Sequence, residues 1–177
     1  MSRTGKMVLS GVLAAIVVIV IYVENILPVN KLSLYTLSSF LISIVIIEAG
    51  IRSGFLFYIT TSLLIFMIVP DKFSVVPYMM FFGIYGIFKY FIEKINKTAV
   101  EMIVKYIVFN VLFFSICFAM ILFGLANGIG DFITEKIFLP DMKIPLIFFI
   151  IILQILFFVY DYVYSKFIIY YVRYRKR

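Results

Sequence analysis

Histidine and tryptophan are missing from this sequence, and cysteine occurs once, at Cys117 inside an apolar run. Without histidine there is no imidazole metal ligand, no imidazole proton shuttle and no Ser–His or Cys–His nucleophile pair. A single cysteine provides neither a disulfide framework nor a thiolate metal site within one chain. Charge is sparse too: Asp, Glu, Lys and Arg make up 14% of the residues, against roughly 25% in an ordinary soluble domain. P-loop, zincin and GxSxG patterns are absent, and acidic residues nowhere reach metal-binding density. The lack of a nucleotide site excludes an autonomous primary pump. Too few polar groups converge for an enzyme, and no cofactor or metal is expected.

What is present is overwhelmingly apolar: 65% of the 177 residues are hydrophobic and the mean hydropathy is +1.17. A soluble fold lacks the polar surface to cover that much apolar side chain, whereas lipid solvates the excess. The apolar runs are continuous rather than alternating, which points to helices and away from barrel strands. About 20 helical residues cross the ~30 Å hydrocarbon layer. Six runs qualify, at about 7–26, 32–49, 53–69, 73–92, 98–126 and 145–172. They are separated by Pro28 and Asn30, by Gly50, by Pro70-Asp71 and by Asn127-Gly128-Ile129-Gly130, and Pro145 suits a first helical turn. The expected fold is therefore all-α: one transmembrane domain over 1–177, a bundle of six spans. The second and third runs are short and adjacent, so a five-span chain with one of them re-entrant is the alternative. The first run looks like a signal peptide, but Glu24-Asn25 stands where a small-residue cleavage site would be, so it reads as a retained helix.

A formal charge of +7 on a soluble chain would raise the question of nucleic acid. On a membrane chain it follows from the tendency of cytoplasmic loops to collect Lys and Arg. With both termini cytoplasmic, twelve of the sixteen basic residues lie inside and only Lys31, Lys72, Lys136 and Lys143 lie outside. The expected setting is the cell membrane, crossed several times. The expected partner is the lipid bilayer, not nucleic acid.

Few residues in the runs carry chemistry. Glu48/Arg52, Lys89/Glu93 and Lys97/Glu101/Lys105 have the four-residue spacing of local ion pairs. Asn110 falls near mid-span, where Asn makes interhelical hydrogen bonds. Asp161 has apolar turns on both sides and needs a partner, for which Lys89 and Lys105 are the candidates. It serves either as an interhelix pair or as a coupling site. Tyr78, Phe82, Tyr85 and Lys89 share one helical face beside Gly83 and Gly86, forming either a packed aromatic seam or a ligand-cavity wall. Tyr78, Tyr85, Asn110 and Asp161 are thus the candidate polar pocket. In the first run Ser10, Gly11, Ala14 and Ala15 make two overlapping small-xxx-small pairs, the candidate surface for a partner helix. The segment from Asn127 to Lys143 is either a lid or a plain connection.

In size, six-span plan, basic ends and the patch Ser10-Gly11-Val12-Leu13-Ala14-Ala15, the chain resembles the substrate-binding S components of energy-coupling-factor (ECF) transporters. The stretch PYMMFFGIYGIFKYFIEK (Pro77 to Lys94) also resembles related bacterial multi-pass proteins with that topology. The resemblance implies capture of a small molecule from outside. It also implies that the first helix packs on a membrane coupling subunit served by an ATPase module. Nickel and cobalt members use an N-terminal histidine, so the ligand implied here is organic. Such a subunit predicts an outward pocket between the fourth, fifth and sixth helices, under the Asp131–Asp141 loop. A membrane scaffold or assembly protein of the cell envelope predicts a closed bundle instead.

Overall fold

The computed structural model of the chain describes residues 2–27, 31–95, 97–122 and 146–175. These residues contain no strand and form six helices long and apolar enough to cross a membrane. They are α1 (Arg3–Ile26), α2 (Lys31–Ala49), α3 (Ile51–Ile68), α4 (Lys72–Ile95), α5 (Thr98–Leu122) and α6 (Leu146–Arg175). At 19 and 18 residues, α2 and α3 are both of spanning length, which favours six spans over five. The turn at Pro28 and Asn30, the end of the fifth run at Ala126, the Asn127–Gly130 break, the loop to Lys143 and Pro145 lie outside the described residues.

Local chemistry sets the helix ends. Ser2 starts α1 four residues before the apolar run, its hydroxyl accepting from the Gly5 amide at 3.1 Å. Asp71 caps α4 by accepting from the Phe73 amide at 3.0 Å. Between α2 and α3 the chain reverses at Gly50 alone. Its φ of +90° disfavours residues with a Cβ, and its amide closes α2 on the Ile46 carbonyl at 3.0 Å.

The helices alternate in direction. The start of α1, the Gly50 turn, the α4–α5 junction and the end of α6 share one end of the bundle. Arg3, Arg52, Lys94, Arg173 and Arg175 gather there, and it is termed the basic end. At the bundle centre is α4, with 61% of its most apolar stretch buried against 11% for α6. Around it pack the fully buried Val17 and Ile21 of α1, Ile42 and Val45 of α2, Ile65 of α3 and Met120 of α5. The outward faces expose large apolar side chains such as Leu56, Met67, Phe118 and Leu122, a surface that water solvates poorly and hydrocarbon solvates well.

One irregularity shapes the interior. Pro77 lies inside α4 and has no amide proton to donate, and the next five residues, Tyr78–Phe82, form a π-turn. Tyr58 of α3 donates its hydroxyl to the Met79 carbonyl within this turn at 2.7 Å. Gly83 lets that ring approach, since a Cβ there would lie 3.0 Å from it. The wide turn buries the consecutive Phe81 and Phe82 together. Phe82 stacks on Tyr35 of α2 at 5.1 Å, and Phe81 meets Phe109 of α5 edge-on at 5.6 Å.

Candidate functional site

Asp161, midway along α6, is the hub of an ionic network on three helices. Its Oδ1 accepts from the Lys89 ammonium and from the Tyr85 hydroxyl (2.7 Å), and its Oδ2 accepts from Lys105 at 3.0 Å. Lys89 also meets Glu93 at 3.0 Å and donates to Ser165 Oγ at 2.8 Å. Lys105 meets Glu101 at 2.6 Å and Glu93 at 3.7 Å. Both lysines are buried, Lys89 completely. Two ammonium groups therefore face three carboxylates, a local charge of −1. The two partners proposed for Asp161 from sequence act on it together, and the Lys89/Glu93 and Glu101/Lys105 spacings form as expected.

The Glu48/Arg52 spacing does not form its pair. Gly50 ends one helix and starts the next between them, so the geometry of a continuous helix no longer applies. Buried Glu48 instead takes Arg175 Nε and the Tyr171 hydroxyl, each at 3.1 Å, from the last turns of α6. A ladder continues that contact along α2 and α6. The Ser43 hydroxyl donates to the Tyr164 oxygen (2.8 Å), which donates onward to the Ser39 carbonyl (2.8 Å), and Ser39 Oγ pairs with the Tyr160 hydroxyl at 2.7 Å.

The other two candidates also bridge helices. Tyr78 donates to Thr61 Oγ1 of α3 at 2.8 Å, the threonine's own proton being used on a backbone carbonyl. Asn110 accepts from Gln154 of α6 at 3.0 Å and donates to its own helix at the Tyr106 carbonyl. The structure thus brings Tyr85 and Asp161 together and holds Tyr78 and Asn110 apart from them.

Glu24 was missed at the sequence level. It is fully buried at the end opposite the basic one, with Oε1 3.1 Å from Lys31 and 3.5 Å from Ser74 Oγ. Tyr35 donates to the Ser74 carbonyl beside it at 2.7 Å. The signal was helical register, because Glu24 continues the inward stripe Leu13, Val17 and Ile21 of α1. Lys31 is 43% exposed and free to turn to solvent, whereas Glu24 is not. Lys31→Ala, which strands a buried carboxylate, is expected to cost about 3 kcal/mol of stability, and Glu24→Gln less than about 1 kcal/mol. Unfolding titrations in mixed micelles measure both, and equal costs would contradict this asymmetry.

Beside these networks, a groove of about 530 Å³ opens between α2, α4, α5 and α6. Its floor is aromatic: Phe81, Phe82, Phe109, Phe157 and Tyr160. Phe109 and Phe157 stack at 4.2 Å to join α5 to α6 under it. Leu32, Leu37, Leu156, Val159 and Val163 line it and are exposed, so its mouth faces sideways out of the bundle. Polar groups are few: Ser33, Thr36 and Tyr160, the latter two already bonded to Leu32 and Ser39. None of Tyr78, Tyr85, Asn110 and Asp161 lines it. Of the small-residue patch, Ser10, Gly11 and Ala14 line a second cleft between α1 and α3, whereas Ala15 is exposed outside it. No cluster of His, Cys, Asp and Glu suited to a metal occurs among the described residues. Such an arrangement can hold an apolar molecule, with the ionic network bracing the helices around it. Comparison with protein families, curated proteins and solved structures gives no match to this chain.

Proposed function

We propose that the chain is a substrate-binding or transport-related membrane subunit for a small, mainly apolar organic molecule, working with a partner module rather than alone. The carrying observation is the groove. About 530 Å³ falls within the range of small-molecule sites, and an aromatic floor with two or three hydroxyls suits a ligand of low polarity. In this reading the six helices cross the cell membrane, and the basic end is cytoplasmic, in keeping with the bias of Lys and Arg toward that side. The groove then lies in the outer half of the bilayer, with its mouth toward lipid. The ECF-like plan supplies the partner, a membrane coupling subunit with an ATPase module.

A second reading, a membrane scaffold or assembly protein, is favoured by the use of Tyr78, Tyr85, Asn110 and Asp161 in contacts between helices. The two readings separate by experiment. The chain is purified in mild detergent, its copurifying proteins are identified, and bound small molecules are extracted for mass spectrometry. Substrate binding predicts a retained apolar compound that falls at least about tenfold in Ile116→Trp and Leu156→Trp, which fill the groove, a loss of about 1.4 kcal/mol. It also predicts a copurifying ATPase module. Absence of any compound in the unmodified chain, together with an envelope-assembly partner, would move the conclusion to the scaffold.

A further inference from the structure

The cleft between α1 and α3 differs from the groove in one decisive respect: its mouth is charged. About 700 Å³ in volume, it lies at the basic end. Arg3 and Lys6 stand at its rim, Ser10, Gly11 and Ala14 run down one wall, and Phe57 stands on the other. The α1 positions Arg3, Lys6, Ser10 and Ala14 follow each other at three and four residues, so a single helical face carries the cations into the cleft.

Nothing within the described residues neutralises those cations. Glu24 and Glu48 are taken by Lys31 and Arg175, and Asp71 caps α4. Glu93, Glu101 and Asp161 are held in the network around Lys89 and Lys105. Arg3 is exposed and Lys6 half-buried, so the mouth of the cleft presents two positive charges with no ion-pair partner among the described residues.

The wall below the cations is open and uncharged, with only the hydroxyls of Ser10, Ser53 and Thr60 among its polar side chains. At two other helical positions glycine makes room for a neighbour from the same chain: a Cβ on Gly86 would lie 2.5 Å from the Tyr164 hydroxyl, and one on Gly54 would collide with Ile46. At Gly11 an added Cβ would meet nothing within 4 Å. The Ser10 and Ser53 hydroxyls are turned back onto their own helices, at 2.9 Å to Lys6 O and 3.1 Å to Ala49 O. An uncharged lane thus runs from two cations toward the middle of the bundle, flanked by the exposed Met7 and Leu56.

We propose that this cleft binds one anionic phospholipid, with its phosphate between Arg3 and Lys6 and an acyl chain along Gly11, Ala14 and Phe57. A basic recess between helices at the membrane surface attracts acidic headgroups at about 1 kcal/mol per cation. The bundle provides the hydrocarbon contact that makes the site selective for a lipid over a soluble anion. The proposal needs the membrane insertion argued above but not the groove, so the Leu156→Trp variant serves as a control that leaves lipid binding unchanged.

The full chain is placed in nanodiscs of phosphatidylcholine with a minor fraction of phosphatidylglycerol, released, and weighed with its retained lipid by native mass spectrometry. The wild-type chain is expected to retain one phosphatidylglycerol in preference to phosphatidylcholine. The Arg3→Gln/Lys6→Gln variant should lose about 30-fold of that preference, two cations at about 1 kcal/mol each. Arg173→Gln, which removes an exposed cation on α6 at the same end, should lose none. Gly11→Leu fills the lane and should lower retention of either lipid without lowering the unfolding midpoint, because the cleft is open at that position and a Cβ there meets nothing within 4 Å. Equal retention of both lipids by the wild-type chain, or full retention by Arg3→Gln/Lys6→Gln, overturns the proposal. So does a Gly11→Leu variant that keeps its lipid but sheds a copurifying protein, which would make the cleft a protein interface.

Discussion

Lys89→Met is expected to cost about 3–5 kcal/mol of stability, and Asp161→Asn no more than about 1 kcal/mol, although the two residues are each other's partner. The reason is local charge. The network holds two ammonium groups and three carboxylates, so removing Lys89 takes the balance from −1 to −2. Asp161 and Glu93 then compete for buried Lys105, which is already bound to Glu101. Removing the Asp161 charge does the opposite. It leaves two balanced pairs, Lys89–Glu93 and Lys105–Glu101, each within one helix. The Asn oxygen can stay on the Tyr85 hydroxyl and Lys89, and Lys105, which loses its acceptor on Asp161, keeps Glu101 and Glu93. The double variant Lys89→Met/Asp161→Asn returns the balance to −1 and should recover at least half of the loss. Reversible unfolding in mixed micelles gives all three values. A larger cost for Asp161→Asn than for Lys89→Met would show that pair geometry, not net charge, governs the network.

The second large effect is steric. Gly86→Ala is expected to destabilise by about 3 kcal/mol, the upper part of the range for overpacked cores. Its Cβ would sit 2.5 Å from the Tyr164 hydroxyl of α6 and 2.8 Å from Ile42 Cγ2 of α2. Tyr164 cannot yield without cost, because its ring is fully buried and its hydroxyl links Ser43 to the Ser39 carbonyl. Tyr164→Phe removes the nearer obstacle while giving up that link. Gly86→Ala should therefore cost less in a Tyr164→Phe background than alone, a coupling of at least about 1 kcal/mol in a double-mutant cycle. Additive costs would mean that the clash is relieved elsewhere, by a shift of α2 at Ile42. Gly11→Ala is the matched control, with no neighbour to displace.

Part of the site was legible beforehand, for a local reason. Asp161 is an ionisable group among apolar turns, and Lys89 and Lys105 were the nearest cations that six antiparallel spans could bring level with it. Asn110 was recognised as an interhelical hydrogen-bonding group, but its partner Gln154 was not, since nothing in one helix specifies the rotation of another. Glu24 is legible in principle, since it continues the stripe Leu13, Val17 and Ile21. The ladder of Ser39, Ser43, Tyr160 and Tyr164 could not be read, because serine and tyrosine suit many positions until a neighbouring helix supplies the acceptor.

Among the described residues, the six long helices, their approximate ends and the crowding of positive charge at one end follow from the sequence alone. Those properties depend on run length, on caps and breakers such as Ser2, Gly50 and Asp71, and on composition, all of which act within a few residues of themselves. Tertiary structure alone decided which helix faces meet. Each residue turns a helix by about 100°, so the π-turn at Tyr78–Phe82 re-aims side chains that a regular helix would place elsewhere. That turn buries Phe81 and Phe82 together and so makes the groove floor, while the four residues expected to line a polar pocket hold the helices to one another. Absent histidine and scarce charge narrowed what the bundle contains. Packing decided that the groove between α2, α4, α5 and α6 is aromatic and that Asp161, Lys89 and Lys105 are paired beside it.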